Sequence, residues 1–446
     1  MIRLSVDDQQ MSEHCDLLER HRRVMPTWLN LYYEDPIELV SGKDCFVADA
    51  EGNEYIDFFG GILTTSIGYN VDEFVEAVRT QAGRMVHTST LYLIRPMVEL
   101  AERIAGLSGI PDAKVFFVSS GSEAVDTALM MCCTARRTNQ VLALRNSYHG
   151  RSFAAVGVTG NRSWSPVSFG PLSVSWIHNG DSLRGVFAGL SGEELCHAAA
   201  DDLREVMATT TAGDIACLIA EPIQGVGGFV VPPDGFLGAL QEVLAERGIL
   251  YVSDEVQTGW GRTGEHFWGY QAHGVRPDLL VFAKGLGNGL AIGGVVGRAS
   301  IVDSFESNSI STFGGNPLAA TGALATLDYI AAHNLQANAQ AVGTRLRTQL
   351  AEGVAGLPMV ADVRGKGLMI GVELVIPGTT RPDAGSAIAV LQAARDTGVL
   401  VGRGGLYGNV LRISPPMSVT PAVADDGARR VLSALRKVSG KQEGSN

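Results

Sequence analysis

At 446 residues the chain is too long for one small core, so two or three domains are expected. Its 46% hydrophobic and 18% charged residues describe a folded protein with a large interior and exclude a disordered one. The 35 basic and 47 acidic residues leave a net charge of −12 with no cluster of lysines or arginines, which argues against nucleic acid as a main partner.

Residues 1 to about 35 read as an irregular or helical arm ending at Pro26-Thr27-Trp28. Asp7, Asp8, Glu13 and Asp16, with no apolar core among them, suit neither a signal peptide nor an arginine-rich transit peptide. Alternation of apolar residues around an acidic-Gly-Asn turn predicts a β-hairpin over Phe46–Phe58. Gly60 and Gly61 open a new region, and helical spacing of apolar residues recurs over Val71–Gln81 and Met97–Leu107. A strand at Lys114–Val118 then runs into Ser119-Ser120-Gly121-Ser122-Glu123-Ala124 and an apolar helix through Met131. That order aims backbone N–H groups and a hydroxyl at one point, as an anion site requires; Ser followed by Glu also caps an ordinary helix.

Four further apolar runs end on polar or aromatic side chains. Val141–Leu144 leads to Tyr148, Ile215–Ala220 to Glu221, Ile249–Val252 to Asp254 and Leu279–Ala283 to Lys284. Alternating with helices, such runs predict a mostly parallel sheet, and ligands bind at the strand ends of such sheets. Five glycines between Gly285 and Gly294 predict a tight turn, and Ser311–Pro317 is a second polar turn before a helix over about Leu318–His333. From residue 335 helices alternate with short strands at Met359–Val363, Met369–Leu374, 399–402 and 410–413, a separate α+β unit. No run approaches the roughly 18 apolar residues of a membrane span, so no membrane partner is expected. The six cysteines, Cys15, Cys45, Cys132, Cys133, Cys196 and Cys217, have no metal-site spacing; they read as thiols of a cytoplasmic protein without a metal.

A lysine at a strand end in apolar surroundings has its pKa lowered and serves as a Schiff-base nucleophile. A buried carboxylate beside a heterocyclic nitrogen keeps that nitrogen protonated and makes the ring an electron sink. With an anion cradle and a stacking aromatic added, the set describes pyridoxal 5′-phosphate. Each residue alone has a plainer account: Asp254 as a helix cap, Lys284 as an exposed turn cation, Tyr148 as packing.

The segments Ser120-Gly121-Ser122-Glu123-Ala124, Tyr148-His149-Gly150, Glu221-Pro222-Ile223-Gln224-Gly225, Asp254-Glu255-Val256-Gln257-Thr258-Gly259, Ala283-Lys284-Gly285 and Thr312-Phe313-Gly314-Gly315-Asn316-Pro317 resemble the class III, or omega, aminotransferases of pyridoxal phosphate fold type I. The likeness runs from the hairpin near Phe46 to the C-terminal unit. It implies an α/β fold: a large cofactor-binding domain over residues 60–325 with a mostly parallel sheet, and a smaller α+β domain from 1–59 and 326–446. It further implies that Lys284 bonds the cofactor and moves the substrate proton, and that Asp254 pairs with the pyridine nitrogen. Gln257 would meet the ring hydroxyl, Tyr148 and Val256 the two ring faces, and Gly121 and Ser122 the phosphate, with Glu221 a further cofactor-binding residue. Thr312 resembles the residue that reaches the neighbouring subunit's cofactor phosphate, which implies a homodimer or a dimer of dimers.

Two positions bear on the substrate. Arg412, in Leu411-Arg412-Ile413-Ser414-Pro415-Pro416, resembles the family's carboxylate-binding arginine; as an exposed residue it would be structural. Ornithine and 4-aminobutyrate aminotransferases tend to carry a glutamate that masks this arginine, and Val226 stands there instead. With Val401-Gly402-Arg403-Gly404, the pattern is most similar to the alanine–glyoxylate aminotransferase 2 group. The resemblance implies a ping-pong transaminase passing an amino group from alanine, β-alanine or a similar donor to a small 2-oxo acid such as glyoxylate or pyruvate. A phospho-lyase acting on ethanolamine phosphate-like substrates, a racemase, and a biosynthetic omega-aminotransferase for a larger carbonyl metabolite are the alternatives. The family's usual Gly-His is Gly68-Tyr69 here, near the substrate entrance.

Overall fold

The computed structural model describes residues 16–167 and 170–443; the acidic start of the arm and Cys15 lie outside them. Fifteen strands form three sheets among these residues. The predicted hairpin is β2 (Phe46–Asp49) and β3 (Glu54–Asp57), antiparallel and preceded by β1 (Leu39–Lys43). Its turn is tied by Asp49, whose carboxylate accepts from the N–H groups of Glu51 and Asn53 and from the Tyr55 hydroxyl.

The central sheet holds β4 (Ala113–Val118), β5 (Gln140–Leu144), β6 (Ser173–Ile177), β7 (Ile215–Ala220), β8 (Leu250–Asp254), β9 (Leu279–Phe282) and β10 (Gly293–Arg298), in the order β4-β10-β9-β8-β7-β5-β6. Neighbours from β9 to β6 are parallel, and β10 alone runs against both its partners. Strand side chains alternate between faces, and two separate cores result. Leu142, Leu144, Leu218, Leu280 and Phe282 enter one with the helices Gly192–Thr209 and Phe236–Ala245. Val141, Ala143, Cys217, Ile219, Leu279 and Val281 enter the other with the helix Gly121–Arg136. Covered on both sides, β7 is buried at every residue, which is why its sequence is continuously apolar.

The third sheet, β11 (Val360–Lys366), β12 (Met369–Leu374), β14 (Gly402–Gly404) and β15 (Val410–Ile413), is antiparallel in the order β11-β12-β15-β14. The run read as one strand at 399–402 divides. Its first half, β13 (Val399–Leu400), pairs in parallel with β3, so the N-terminal hairpin and the C-terminal chain share a sheet. The glycines of 285–294 also divide: Gly293 and Gly294 begin β10, where bulkier residues would collide with Phe282 and the β4 backbone. Among the described residues no helix is long and apolar enough to cross a membrane, and no His/Cys/Asp/Glu group could hold a metal ion.

A Cβ at position 294 would sit 2.5 Å from the Phe282 ring and 2.6 Å from the Phe116 carbonyl oxygen. Gly294→Ala is therefore expected to destabilise the protein by about 2 kcal/mol, measured by denaturant unfolding; an unchanged midpoint would contradict this packing.

Candidate active site

Strand order reverses between β5 and β7, and in such sheets the crevice beyond the carboxyl ends is where a ligand fits. Here the ends of β4, β5, β7, β8 and β9 surround one cavity of about 310 Å³. Gly121, Ser122, Tyr148, Glu221, Asp254, Val256, Gln257 and Lys284 all line it. Thr312 does not; it is exposed, in the turn before the helix Pro317–Ala332. Arg412 lies behind Gln257, buried and not at the surface.

At one end of the cavity both readings of the Ser-Gly-Ser-Glu segment hold at once. Ser120 Oγ accepts from Glu123 N–H at 3.2 Å, and the Glu123 carboxylate accepts from Ser119 N–H at 2.7 Å. These reciprocal bonds leave the N–H groups of Gly121 and Ser122, which begin the helix Gly121–Arg136 and which no helical carbonyl can reach. Ser122 Oγ accepts from Arg151 N–H at 3.1 Å, so its proton is free to be donated. Glycines keep the cradle open: a Cβ on Gly121 would meet Val256 at 3.3 Å, and one on Gly150 would fall 2.5 Å from Ser122 Oγ.

At the other end Lys284 leaves β9 in the left-handed region, at φ +42°, a strained angle for a side chain of this size. Burial pushes its amine down to about 8, with Arg412 lowering it further and Asp254 and Glu221 drawing it back up.

Between these ends sit two buried carboxylates. Asp254 accepts from Val256 N–H at 3.1 Å and lies 2.6 Å from His149 Nδ1. Glu221 accepts from the N–H groups of Tyr148 and Gly225, each at 2.8 Å; burial raises its pKa, His149 counters the rise and Asp254 adds to it. The Tyr148 backbone is thus set by Glu221, while its ring meets Trp164 edge-on at 5.7 Å.

Arg412 is carried by β15, and its cross-strand neighbours are glycines on both sides, Gly371 and Gly402. Its Nη2 donates to Gln257 Oε1 at 2.8 Å, which leaves the Gln257 amide NH₂ for another acceptor. The guanidinium lies 4.7 Å from the centre of the Phe229 ring and 5.5 Å from that of Phe59. Burial lowers its pKa to about 10, and its Nε has no partner.

The residues fit pyridoxal 5′-phosphate. Free N–H groups and a hydroxyl at a helix N-terminus suit a phosphate, a buried carboxylate suits a pyridinium nitrogen, and a lysine of lowered pKa suits an aldehyde. His149 Nε2, buried without a partner, marks the floor of the site as built around more than packing. The partnership of His149 with Asp254 and the presence of Thr64 and Ser119 in the lining were missed from sequence. Only the place of His149, directly after Tyr148 beyond the same strand, could have pointed to it.

Sequence comparison supports the same class. The profile of the family "Aminotransferase class-III" matches residues 32–435. The chain is 38% identical over 413 residues to alanine–glyoxylate aminotransferase 2 homolog 2, mitochondrial, of Arabidopsis thaliana, covering 92% of this chain and 85% of that protein. It is 35% identical over 440 residues to the human mitochondrial alanine–glyoxylate aminotransferase 2, covering 94% and 86%. Among solved structures, a thermostable (S)-enantioselective omega-transaminase from Thermomicrobium roseum superposes with a TM-score of 0.87 at 32% identity, covering 95% of this chain and 98% of that one. An amine transaminase from an uncultivated Pseudomonas species, solved with pyridoxal phosphate bound, gives 0.87 at 31% identity over 93% and 98%. The fold and site therefore define a pyridoxal-phosphate-dependent transaminase of fold type I. Within that class the chain belongs to the class III aminotransferases, and it is similar to alanine–glyoxylate aminotransferase 2 proteins.

Only the unprotonated amine acylates, so in cofactor-free protein the modification of Lys284 by an amine-directed reagent, followed by peptide mapping, should rise with pH through a midpoint near 8. Asp254→Asn removes a charge that favours the ammonium form, and the midpoint should move lower still. A midpoint at the ordinary lysine value of about 10.4 would contradict the burial described.

Proposed function

We propose that this enzyme transfers an amino group from a carboxylate-bearing donor, alanine, β-alanine or a similar compound, to a small 2-oxo acid such as glyoxylate or pyruvate, in two ping-pong half-reactions. The observation that carries this reading is the state of Arg412. No carboxylate pairs with it among the described residues, and its Nε is unpartnered. Val226, the residue that could have masked it, is apolar, and its carbonyl is occupied by Gly405 N–H at 2.9 Å. A desolvated guanidinium lying over two rings is suited to a substrate carboxylate. The names of the Arabidopsis and human relatives support the same donor and acceptor.

The residues divide the work as follows. Gly121 and Ser122 would bind the phosphate, Tyr148 and Val256 would hold the ring from its two faces, and Gln257 would donate to the ring hydroxyl. Asp254 would keep the proton on the pyridine nitrogen, and the 2.6 Å bond to His149 fixes the carboxylate that does so. Bound there, pyridoxal phosphate would supply the electron sink for the bonds at the substrate Cα. Lys284 Nζ would bond the cofactor and, once displaced by substrate, move the Cα proton, for which an amine with a pKa near 8 is well matched. Glu221, which lines the cavity and is fixed by two N–H groups, would hold the Tyr148 backbone and the Gly225 turn beside the cofactor.

We infer that the chain works as a homodimer or a dimer of dimers, with Thr312 reaching the phosphate of the neighbouring subunit's cofactor. Ile310 and Phe313 beside Thr312, and Leu91, Tyr92 and Leu93 in another segment, are exposed apolar side chains, Leu93 being 98% exposed, and such surface favours a partner. The division into a large unit over 60–325 and a smaller one from 1–59 with 326–446 is part of the same reading, supported by the sheet that β13 shares with β1, β2 and β3. We also assign the chain to the cytoplasm, on the free thiols of its described cysteines; the mitochondrial forms are properties of the named relatives.

A second reading has specific support, because an alanine/serine racemase from Pyrococcus horikoshii is 35% identical over 438 residues, covering 96% of this chain. Products separate the two: a racemase inverts one amino acid without an oxo acid, whereas a transaminase needs both substrates. The expected outcome is a new amino acid and a new oxo acid in equal amounts. Lys284→Ala should lower turnover roughly ten-thousand-fold, and Arg412→Ala should raise KM for the oxo acid about 100-fold. Inversion of L-alanine alone at the full rate would overturn the transaminase reading.

A further inference from the structure

Gly60, Gly61, Ile62 and Leu63 form one turn of left-handed helix, with φ of +58°, +56°, +67° and +59°. Leu63 N–H donates to Phe59 O at 3.1 Å and Thr64 N–H to Gly60 O at 2.7 Å, closing the turn. Glycine takes these angles freely; Ile62 and Leu63 do not, because the left-handed turn drives each Cβ against the following carbonyl oxygen. A turn of this hand persists only where its surroundings hold it.

Asp57, buried at the end of β3, supplies that hold. Its Oδ1 accepts from Phe59 N–H at 2.7 Å and Gly60 N–H at 3.0 Å, and its Oδ2 accepts from the Tyr69 hydroxyl at 2.6 Å. Tyr69 is itself fixed by a two-way main-chain bridge to Asp44, at 2.8 and 2.9 Å. Its ring lies on Gly42, where a Cβ would come within 2.8 Å. The two flanks of the turn both belong to the active site. Phe59, directly before it, lies against the Arg412 guanidinium, in space that a side chain at Gly402 would fill. Thr64, directly after it, lines the cavity. Ser414, two residues beyond Arg412, donates its N–H to Phe58 O at 2.7 Å and ties the same corner to β15.

We propose that Tyr69 and Asp57 are positioning residues for the substrate carboxylate: they hold a strained left-handed turn that seats Phe59 against Arg412, so that the guanidinium meets the carboxylate in one orientation. The inference rests on Arg412 being the carboxylate site, as read above. Tyr69 thereby acts through Asp57 and the turn, touching neither substrate nor cofactor, and the substrate-side effect of the residue at this position follows from its hydroxyl.

The test uses the holoenzyme and its oxo acid acceptor. Tyr69→Phe removes only the hydroxyl; KM for the oxo acid should rise about tenfold, while kcat stays within about twofold and the absorbance of the bound cofactor is unchanged. Ile62→Gly in the Tyr69→Phe background lifts the Cβ that opposes the turn, and KM should return towards the wild-type value, with Ile62→Gly alone as the reference. An unchanged KM in Tyr69→Phe overturns the proposal, even if the thermal midpoint falls, because the bond would then be structural only. Equal losses in kcat and KM, or no rescue by the second substitution, overturn it as well. An Arg412→Ala enzyme with wild-type KM would instead overturn the reading of Arg412, and this inference with it.

Discussion

The buried carboxylate of Asp254 is the interaction on which the site depends. A carboxylate taken out of water survives as a charge only if donors or a cation replace its hydration. Asp254 has two such partners on its own chain, Val256 N–H and His149 Nδ1, and it lines the cavity. Its neighbour Glu255 solves the same problem in the other direction. It turns into the core and accepts from Thr258 Oγ1 and from the N–H groups of Gly269 and Tyr270, burial still raising its pKa to about 7. Two consecutive acids at the end of β8 thus serve opposite faces of the strand, one the cavity and one the loop that follows.

The cation side is built with similar economy. Lys284 and Arg412 are both lowered by burial, to about 8 and about 10, yet they differ in what surrounds them. Lys284 feels Asp254 and Glu221, which keep its pKa from falling further and leave it near neutrality, as proton transfer requires. Arg412 lies over two aromatic rings and bonds a neutral amide. A guanidinium so placed keeps its charge without being quenched by a carboxylate, and its attraction for an incoming one is strengthened by the low dielectric.

Much of this was legible in the chain because strand ends are easy to find when the strands are uniformly apolar. Tyr148, Glu221, Asp254 and Lys284 each follow such a run, and the structure brings all four to one cavity. The hairpin at β2 and β3 and the helices Asp72–Ala82 and Arg95–Leu107 were equally plain, from alternation and helical spacing. The strand β10 was hidden because glycines that make room for Phe282 look like turn residues. Position 399–402 looked like one strand because nothing local says that its halves join different sheets. The contacts that tune the site were the least legible. Arg412 meets Gln257 across 155 residues, His149 meets Asp254 across 105, and Tyr69 reaches Asp57 through a turn whose handedness the side chains of Ile62 and Leu63 oppose.

The account depends on one lysine being the point of attachment in a chain that has several. Incubating the cofactor-free protein with pyridoxal phosphate, reducing with borohydride and mapping the peptides tests this directly. The account predicts one labelled site, Lys284, and loss of the label when free substrate amine is added before reduction. Label on another lysine with Lys284 unmodified would contradict it.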